Sequence, residues 1–318
     1  MKQFLAILIS LCVLTSYAGE SRKKGRKKKN EDVVQLNDPL SKEKKSYVYD
    51  KQLYNNGCDT LAQIIFWRKV MALSKDSGYL NIFNSRTIIE KYSCKQWNGA
   101  TDEYKIAFRD SIKTTYGLTE DSKILFTEGK SFFYDFSKAY VNLHTGIEVF
   151  QENNVDPWYA QAILLIESPN KLQKSNVGAY GPFQLMKPVA KMYGLKVNRK
   201  VDERASLERS AYGASMLMKN ICIPKTKQML DTLGITYNEK DLWFRLLVLH
   251  SYHAGIGNVR AAIQATGRSE GGMDMIRTLW HTTAKGFKTA SQSYSQVALA
   301  AMIEMDAKMQ PLILAGKN

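Results

Sequence analysis

The sequence predicts a mainly α-helical protein, and three observations carry that expectation. Apolar residues recur at helical intervals through several long stretches, strict apolar-polar alternation is scarce, and an Asp-Pro pair in the second half opens an almost wholly apolar helix. A chain of 318 residues that is 44% hydrophobic and 24% charged can bury one or two cores, which excludes collagen-like, wholly disordered and disulfide-framework classes. Its 45 Lys+Arg against 30 Asp+Glu leave a formal charge of +15. That excess implies attraction to something anionic, whether nucleic acid, membrane surface or wall polymer, and carries no information about fold.

Residues 1–18 read as a cleaved secretory signal: Lys2, an apolar run from Phe4 to Leu14, then Ser16-Tyr17-Ala18. The run is too short for a membrane anchor, which needs about 20 apolar residues. Lipidation at Cys12 is disfavoured by Leu11, which stands where a small residue should precede a lipidated cysteine. Residues 19–46 are expected to be a disordered basic arm and linker. Arg22, Lys23, Lys24, Arg26, Lys27, Lys28 and Lys29 repel one another with no apolar face to bury, and Asp38-Pro39 marks a linker. After a signal peptide, residues 22–29 would meet an anionic envelope surface. Cys58, Cys94 and Cys222 remain, and an oxidising compartment permits one disulfide, with Cys58 and Cys94 the expected pair.

Residues 47–130 read as an α-rich N-terminal region without a catalytic motif. Leu61, Ile64, Ile65, Trp67, Val70 and Met71 define one helix, and residues 102–116 and 132–150 show looser helical spacing. The aromatics Tyr47, Tyr49, Tyr54, Phe66, Trp67, Phe132, Phe133, Tyr134 and Phe136 are expected in cores. Few strands are expected anywhere.

A second domain is expected over residues 131–318. Asp156-Pro157 is a strong helix start, and the helix runs through Trp158, Tyr159, Ala162, Ile163, Leu165 and Ile166 to Glu167, where Ser168-Pro169 stops it. A carboxylate there faces apolar surroundings and the negative end of the helix dipole. Both disfavour its charge and raise its pKa, which is what a general acid needs. A solvent-facing glutamate is the plainer reading of this helix taken alone.

Two further segments change that weighting. Ser175-Asn176-Val177-Gly178-Ala179-Tyr180-Gly181-Pro182-Phe183-Gln184-Leu185-Met186 is punctuated by glycines that allow tight turns and close ligand approach, with the Gln184 amide suited to an N-acetyl or hydroxyl group of a sugar. Ser251-Tyr252-His253-Ala254-Gly255-Ile256-Gly257-Asn258-Val259 is a helix end turned by glycines. Together with Glu167-Ser168, Gln184-Leu185-Met186-Lys187-Pro188 and Tyr294 followed by Val297 to Ile303, these segments resemble the soluble lytic transglycosylase catalytic domain, a lysozyme-like (SLT) relative of goose-type lysozyme. The resemblance spans about residues 156–303. The departures are a loop one residue shorter after Glu167, with Pro169-Asn170-Lys171-Leu172 in place of the usual Phe and Pro, His253 for Asn, and Ala290-Ser291 for Glu-Thr.

The resemblance implies a lysozyme-like catalytic domain acting on peptidoglycan glycan strands, with Glu167 the single catalytic acid/base. Such an enzyme cleaves the bond between N-acetylmuramic acid and N-acetylglucosamine and leaves a 1,6-anhydro end. Ser175, Gly178, Ala179, Tyr180, Gln184, Met186, Tyr252, His253 and Tyr294 are the implied substrate-binding positions. The protein is then expected to be an exported monomer of the periplasm or cell envelope, with no cofactor and no nucleic-acid partner. Two alternatives differ in chemistry: a hydrolytic muramidase of the same fold, and a peptidoglycan-binding scaffold with impaired catalysis. His250 and His253 lack a third metal ligand at a suitable spacing, and Asp202 with Arg204 reads as an ion pair or cap.

Overall fold

The computed structural model describes residues 32–37, 43–136, 139–168 and 174–315. The expected signal segment at 1–18, the basic block at 22–29 and the loop residues 169–173 lie outside the described residues.

The chain opens with a ribbon. Strand β1 (Val33–Asn37) pairs antiparallel with β2 (Lys44–Val48), placing Val34 opposite Tyr47. These residues were expected to be linker, and the correction has a physical cause in long-range polar partners. The side chain of Gln161 completes the edge of β2, accepting from the Val48 N–H at 2.9 Å and donating to its carbonyl at 2.8 Å. The Ser46 N–H donates to His144 Nδ1 at 3.0 Å, and the Tyr47 hydroxyl donates to the buried Asp306. Polar side chains that read locally as solvated are consumed by partners about a hundred or more positions away.

Short helix α1 (Gln52–Asn55) and helix α2 (Ala62–Ala72) follow, and α2 buries Ile64, Phe66, Trp67, Val70 and Met71. Next comes an unexpected sheet. Strands β3 (Ser77–Ile82), β4 (Ile88–Ser93) and β5 (Ile124–Glu128) pair antiparallel in the order β4-β3-β5. Helix α3 (Cys94–Gly99) is started by a capping box of Ser93 and Gln96, and α4 (Asp102–Thr115) by the Thr101 hydroxyl. The unit has its own core of Leu80, Trp97, Ile112 and Ile124, with Trp97 stacked on Phe126 at 5.5 Å. Residues 47–130 thus carry, beside their helices, a sheet that the sequence did not lead one to expect. Each strand is five or six residues long and β3 carries a register shift at Leu80/Asn81, too little for alternation to show.

The rest is helical: α5 (Ala139–Glu152), α6 (Trp158–Glu167), α7 (Lys187–Met192), α8 (Leu207–Leu217), α9 (Ile223–Thr232), α10 (Leu242–Ala254), α11 (Ile256–Thr266), α12 (Met273–Leu279) and α13 (Thr289–Ala315). A π-helical turn at Met218–Cys222 joins α8 to α9. Helix α6 is buried from Trp158 through Ile166 and packs against α5 and α13, so it is the central element. One hydrophobic core contains Leu36, Tyr47 and Phe66 together with Leu143, Ile163, Leu247 and Met302, so the packing does not divide at residue 130.

The buried guanidinium of Arg245 on α10 ties the two ends of this core together. It pairs with Asp32 at 2.8 Å, Asp50 at 3.2 Å and Asp156 at 2.9 Å, while Asp156 also accepts the Trp158 N–H that opens α6. The expected Cys58–Cys94 disulfide is absent: all three described cysteines are free thiols, with Cys58 and Cys222 buried. Burial pushes both of those thiols up to about 12, so they behave as apolar core groups.

Candidate active site

Glu167 ends α6, where nine buried residues precede it and Ser168 turns the chain out of the helix. Its carboxylate Oε1 accepts a hydrogen bond from the Tyr294 hydroxyl at 2.7 Å. Burial raises the Glu167 pKa above the ordinary glutamate value, and the Tyr294 hydrogen bond opposes that rise by stabilising the carboxylate. Among the described residues no other charge takes part in the balance. The hydroxyls of Tyr252, Tyr134 and Tyr294 all feel the Glu167 charge, so three tyrosines from three different segments surround one carboxyl group.

The glycine-punctuated segment is held against the end of α6 from two sides. Ser168 Oγ donates to the Pro182 carbonyl at 2.8 Å, and the Tyr252 hydroxyl donates to the Phe183 carbonyl at 2.5 Å. Arg204, itself buried, forms the other clamp. Its Nη1 donates to the carbonyls of Gly178 and Leu185, each at 2.9 Å, while Asp202 fixes its Nη2 at 2.7 Å. Gly181 lies at φ +86°, and a Cβ there would sit 1.7 Å from the Arg204 carbonyl oxygen, so only glycine fits.

The structure sorts the sequence-predicted residues into distinct positions. Tyr294 touches Glu167 directly, and His253 stacks on Tyr294 with ring centroids 4.1 Å apart and planes 19° apart. His253 is exposed at the end of α10. Tyr252 anchors the loop through its hydroxyl. Ser175 Oγ accepts the Ala179 N–H at 2.9 Å, closing the turn that carries Gly178. Gln184 adopts φ +47° and donates to the Gly181 carbonyl at 3.0 Å. Tyr180 lies beneath the Arg204 guanidinium at 5.5 Å, Ala179 is buried, and Met186 is exposed at the start of α7.

Sequence reasoning assigned no site role to Tyr134 and treated Arg204 only as half of an ion pair. The pair exists, and it also holds the loop. No local pattern marks Tyr134, whose aromatic neighbours Phe133 and Phe136 make it look like ordinary core. Among the described residues, no cluster of three or more His, Cys, Asp or Glu side chains is placed to hold a metal ion, and no helix is long and apolar enough to cross a membrane.

Residues 146–273 match the family model described as the transglycosylase SLT domain. No curated protein and no solved structure matches the chain. The mainly helical protein therefore carries an SLT, lysozyme-like domain, and the match is consistent with a soluble lytic transglycosylase catalytic domain. It supports a peptidoglycan transglycosylase or lysozyme-like function. The matched stretch begins within α5 and ends at the start of α12, so it holds Glu167, the clamped loop and Tyr252, while Tyr294 and Tyr134 come from outside it.

Proposed function

We propose that the protein is an exported lytic transglycosylase that cleaves peptidoglycan strands with Glu167 as its single acid/base. The observation that carries this reading is the environment of Glu167: one carboxyl group at the end of a buried helix, its pKa raised by burial, with tyrosines around it. A glycosidase that activates water needs a second carboxylate about 5–10 Å from the first. Such a neighbour would act on Glu167 as a like charge, and among the described residues none does. That favours the substrate's own C6 hydroxyl as nucleophile over water.

In this scheme protonated Glu167 gives its proton to the glycosidic oxygen as the C1–O4 bond of N-acetylmuramic acid breaks. The resulting carboxylate takes the proton from the C6 hydroxyl as O6 bonds to C1, which forms the 1,6-anhydro ring and regenerates the acid. Tyr294 steadies the carboxylate in the second step. The loop from Ser175 to Met186 supplies the wall of the cleft, with Gly178, Ala179 and Tyr180 forming its turn, and Gln184, His253 and Met186 contact the glycan. The N-terminal segment would export the chain, and residues 22–29 would hold it near anionic envelope material.

The test is mass spectrometry of products from purified peptidoglycan incubated with the protein and with Glu167→Gln. Anhydro-muropeptides from the first alone support the reading. Reducing ends favour the muramidase, and binding without any product favours the scaffold.

A further inference from the structure

The β4-β3-β5 unit contains none of the candidate site residues, yet one of its side chains reaches the active site's supporting layer. Arg86 lies in the turn between β3 and β4, 4% exposed, in the left-handed region at φ +56°. Two costs meet in this residue. A non-glycine side chain at positive φ is strained, and a buried cation requires compensation. No carboxylate compensates Arg86 among the described residues. Its guanidinium packs 4.4 Å from the Phe83 ring, 5.1 Å from Phe66 and 5.2 Å from Trp67, and its hydrogen-bond partners are neutral.

Two of those partners lie on the first turns of α13, either side of Tyr294. Arg86 Nη2 donates to Ser293 Oγ at 2.8 Å and Nε donates to Gln296 Oε1 at 3.3 Å, while Nη1 donates to Asn81 at 3.4 Å. Gln296 Oε1 also receives the Trp67 indole N–H at 3.1 Å. Ser295, between Tyr294 and Gln296, is held from α10 and the end of α12: its hydroxyl bonds His250 Nε2 at 2.9 Å and accepts from the Trp280 indole at 2.8 Å. Ser293 and Gln296 are thus gripped by Arg86 and Trp67, Ser295 by His250 and Trp280. Tyr294, between them, donates its hydroxyl to Glu167.

We propose that Arg86 is a positioning residue for the acid/base: it fixes the start of α13 so that Tyr294 meets Glu167, which makes the β4-β3-β5 unit a working part of the active site. The catalytic consequence rests on the transglycosylase reading; the structural coupling does not. The groups facing Glu167 are Tyr294 from α13, Tyr252 from α10 and Tyr134 from the segment before α5, with His253 of α10 stacked over Tyr294. Only the Tyr294 hydroxyl counters the effect of burial, so loosening it raises the Glu167 pKa further.

The experiment compares wild type, Arg86→Met, Arg86→Lys, Tyr294→Phe and the Arg86→Met/Tyr294→Phe double variant. Two quantities are read: the carbon-13 titration of the labelled Glu167 carboxyl, and kcat and KM against pH on soluble glycan strands. Arg86→Met is expected to raise the Glu167 pKa, move the alkaline limb of kcat upward, and lower kcat by about tenfold to a hundredfold with little change in KM, as for a misplaced catalytic group. The double variant should titrate like Tyr294→Phe, because both act through one hydroxyl. Arg86→Lys, which keeps the charge and one donor direction, should recover part of the shift. If Arg86→Met fails to fold, Ser293→Ala carries the same test from the other side of the contact. An unchanged Glu167 titration in a folded Arg86 or Ser293 variant overturns the proposal even if the melting temperature falls. A wild type that forms no product would overturn the transglycosylase reading instead, and the titration would still decide the role of Arg86.

Discussion

Tyr294 reaches across the fold to place its hydroxyl 2.7 Å from Glu167, and this single contact joins two helices that are far apart in sequence. The two partners pull in opposite directions energetically. Burial favours the neutral acid, which can donate a proton, while the hydroxyl favours the carboxylate, which can accept one. The acid/base role proposed for Glu167 requires both in one cycle and is served by that opposition.

Replacing Glu167 by Gln is expected to lower cleavage at least a thousandfold, within the range of general acid catalysis, while leaving glycan binding intact. Stability should move the other way. The folded protein holds the Glu167 proton more tightly than the unfolded chain, so wild-type stability declines as pH rises from the ordinary glutamate value of 4.5 through the folded one. The variant lacks that decline, so it should melt above wild type at pH 7, with the difference vanishing below pH 4. A variant that melts below wild type at pH 7 would contradict the buried-acid account.

Much of the second half was legible because its signals are local. The Asp156-Pro157 start, the apolar run and the Ser168 stop give α6 to within a residue or two, and the glycines at 178 and 181 do adopt positive φ. What was not legible depends on partners distant in sequence. Ser46 read as the end of a linker, whereas His144 draws it into the core, and nothing local told that Tyr47 and Asp50 would meet Asp306 and Arg245. The strands β3, β4 and β5 escape notice for a different reason. Each has only five or six residues and β3 is broken by a register shift at Leu80/Asn81, so no strand carries a long alternating pattern. The substrate-facing roles given to Ser175 and Tyr252 also gain a structural component, since both hydroxyls bond the loop backbone.

Gly181→Ala tests how much the loop depends on its backbone. The residue sits at φ +86°, and the added methyl would overlap the Arg204 carbonyl at 1.7 Å. Because Arg204 is fixed by Asp202 and by two loop carbonyls, it has no room to withdraw. A loss of about 2–4 kcal/mol in urea unfolding is expected, with activity falling more than binding. A loss under 0.5 kcal/mol would show that the clamp yields.

Arg245→Met removes the shared cation from Asp32, Asp50 and Asp156. Asp50 is buried and its pKa is already raised by desolvation despite the guanidinium beside it. Leaving three carboxylates without their partner should cost about 3–5 kcal/mol at pH 7. Asp50, its pKa raised by burial, takes up a proton as the pH falls, so the penalty should shrink toward acid pH. Chemical unfolding of both proteins at pH 4 and pH 7 checks this, and a pH-independent loss would mean that packing of the Arg245 stem dominates.

Asp306 supplies a second buried carboxyl with a different signature. It accepts hydrogen bonds from the Tyr47 and Tyr54 hydroxyls, and burial still lifts its pKa to about 6 from an ordinary 3.8. The folded state therefore binds this proton more tightly than the unfolded chain. Its contribution to stability is full below pH 3.8 and is lost as pH rises through 6, a change of about 3 kcal/mol at most. Asp306→Asn keeps an acceptor for one tyrosine and cannot ionise, so its stability should decline less steeply than that of wild type across that window, the rest of the decline coming from Glu167 and Asp50. Urea unfolding at half-unit intervals from pH 4 to 7 reads the difference. Parallel curves for the two proteins would show that Asp306 stays ionised throughout, and that the two tyrosine hydroxyls outweigh its burial.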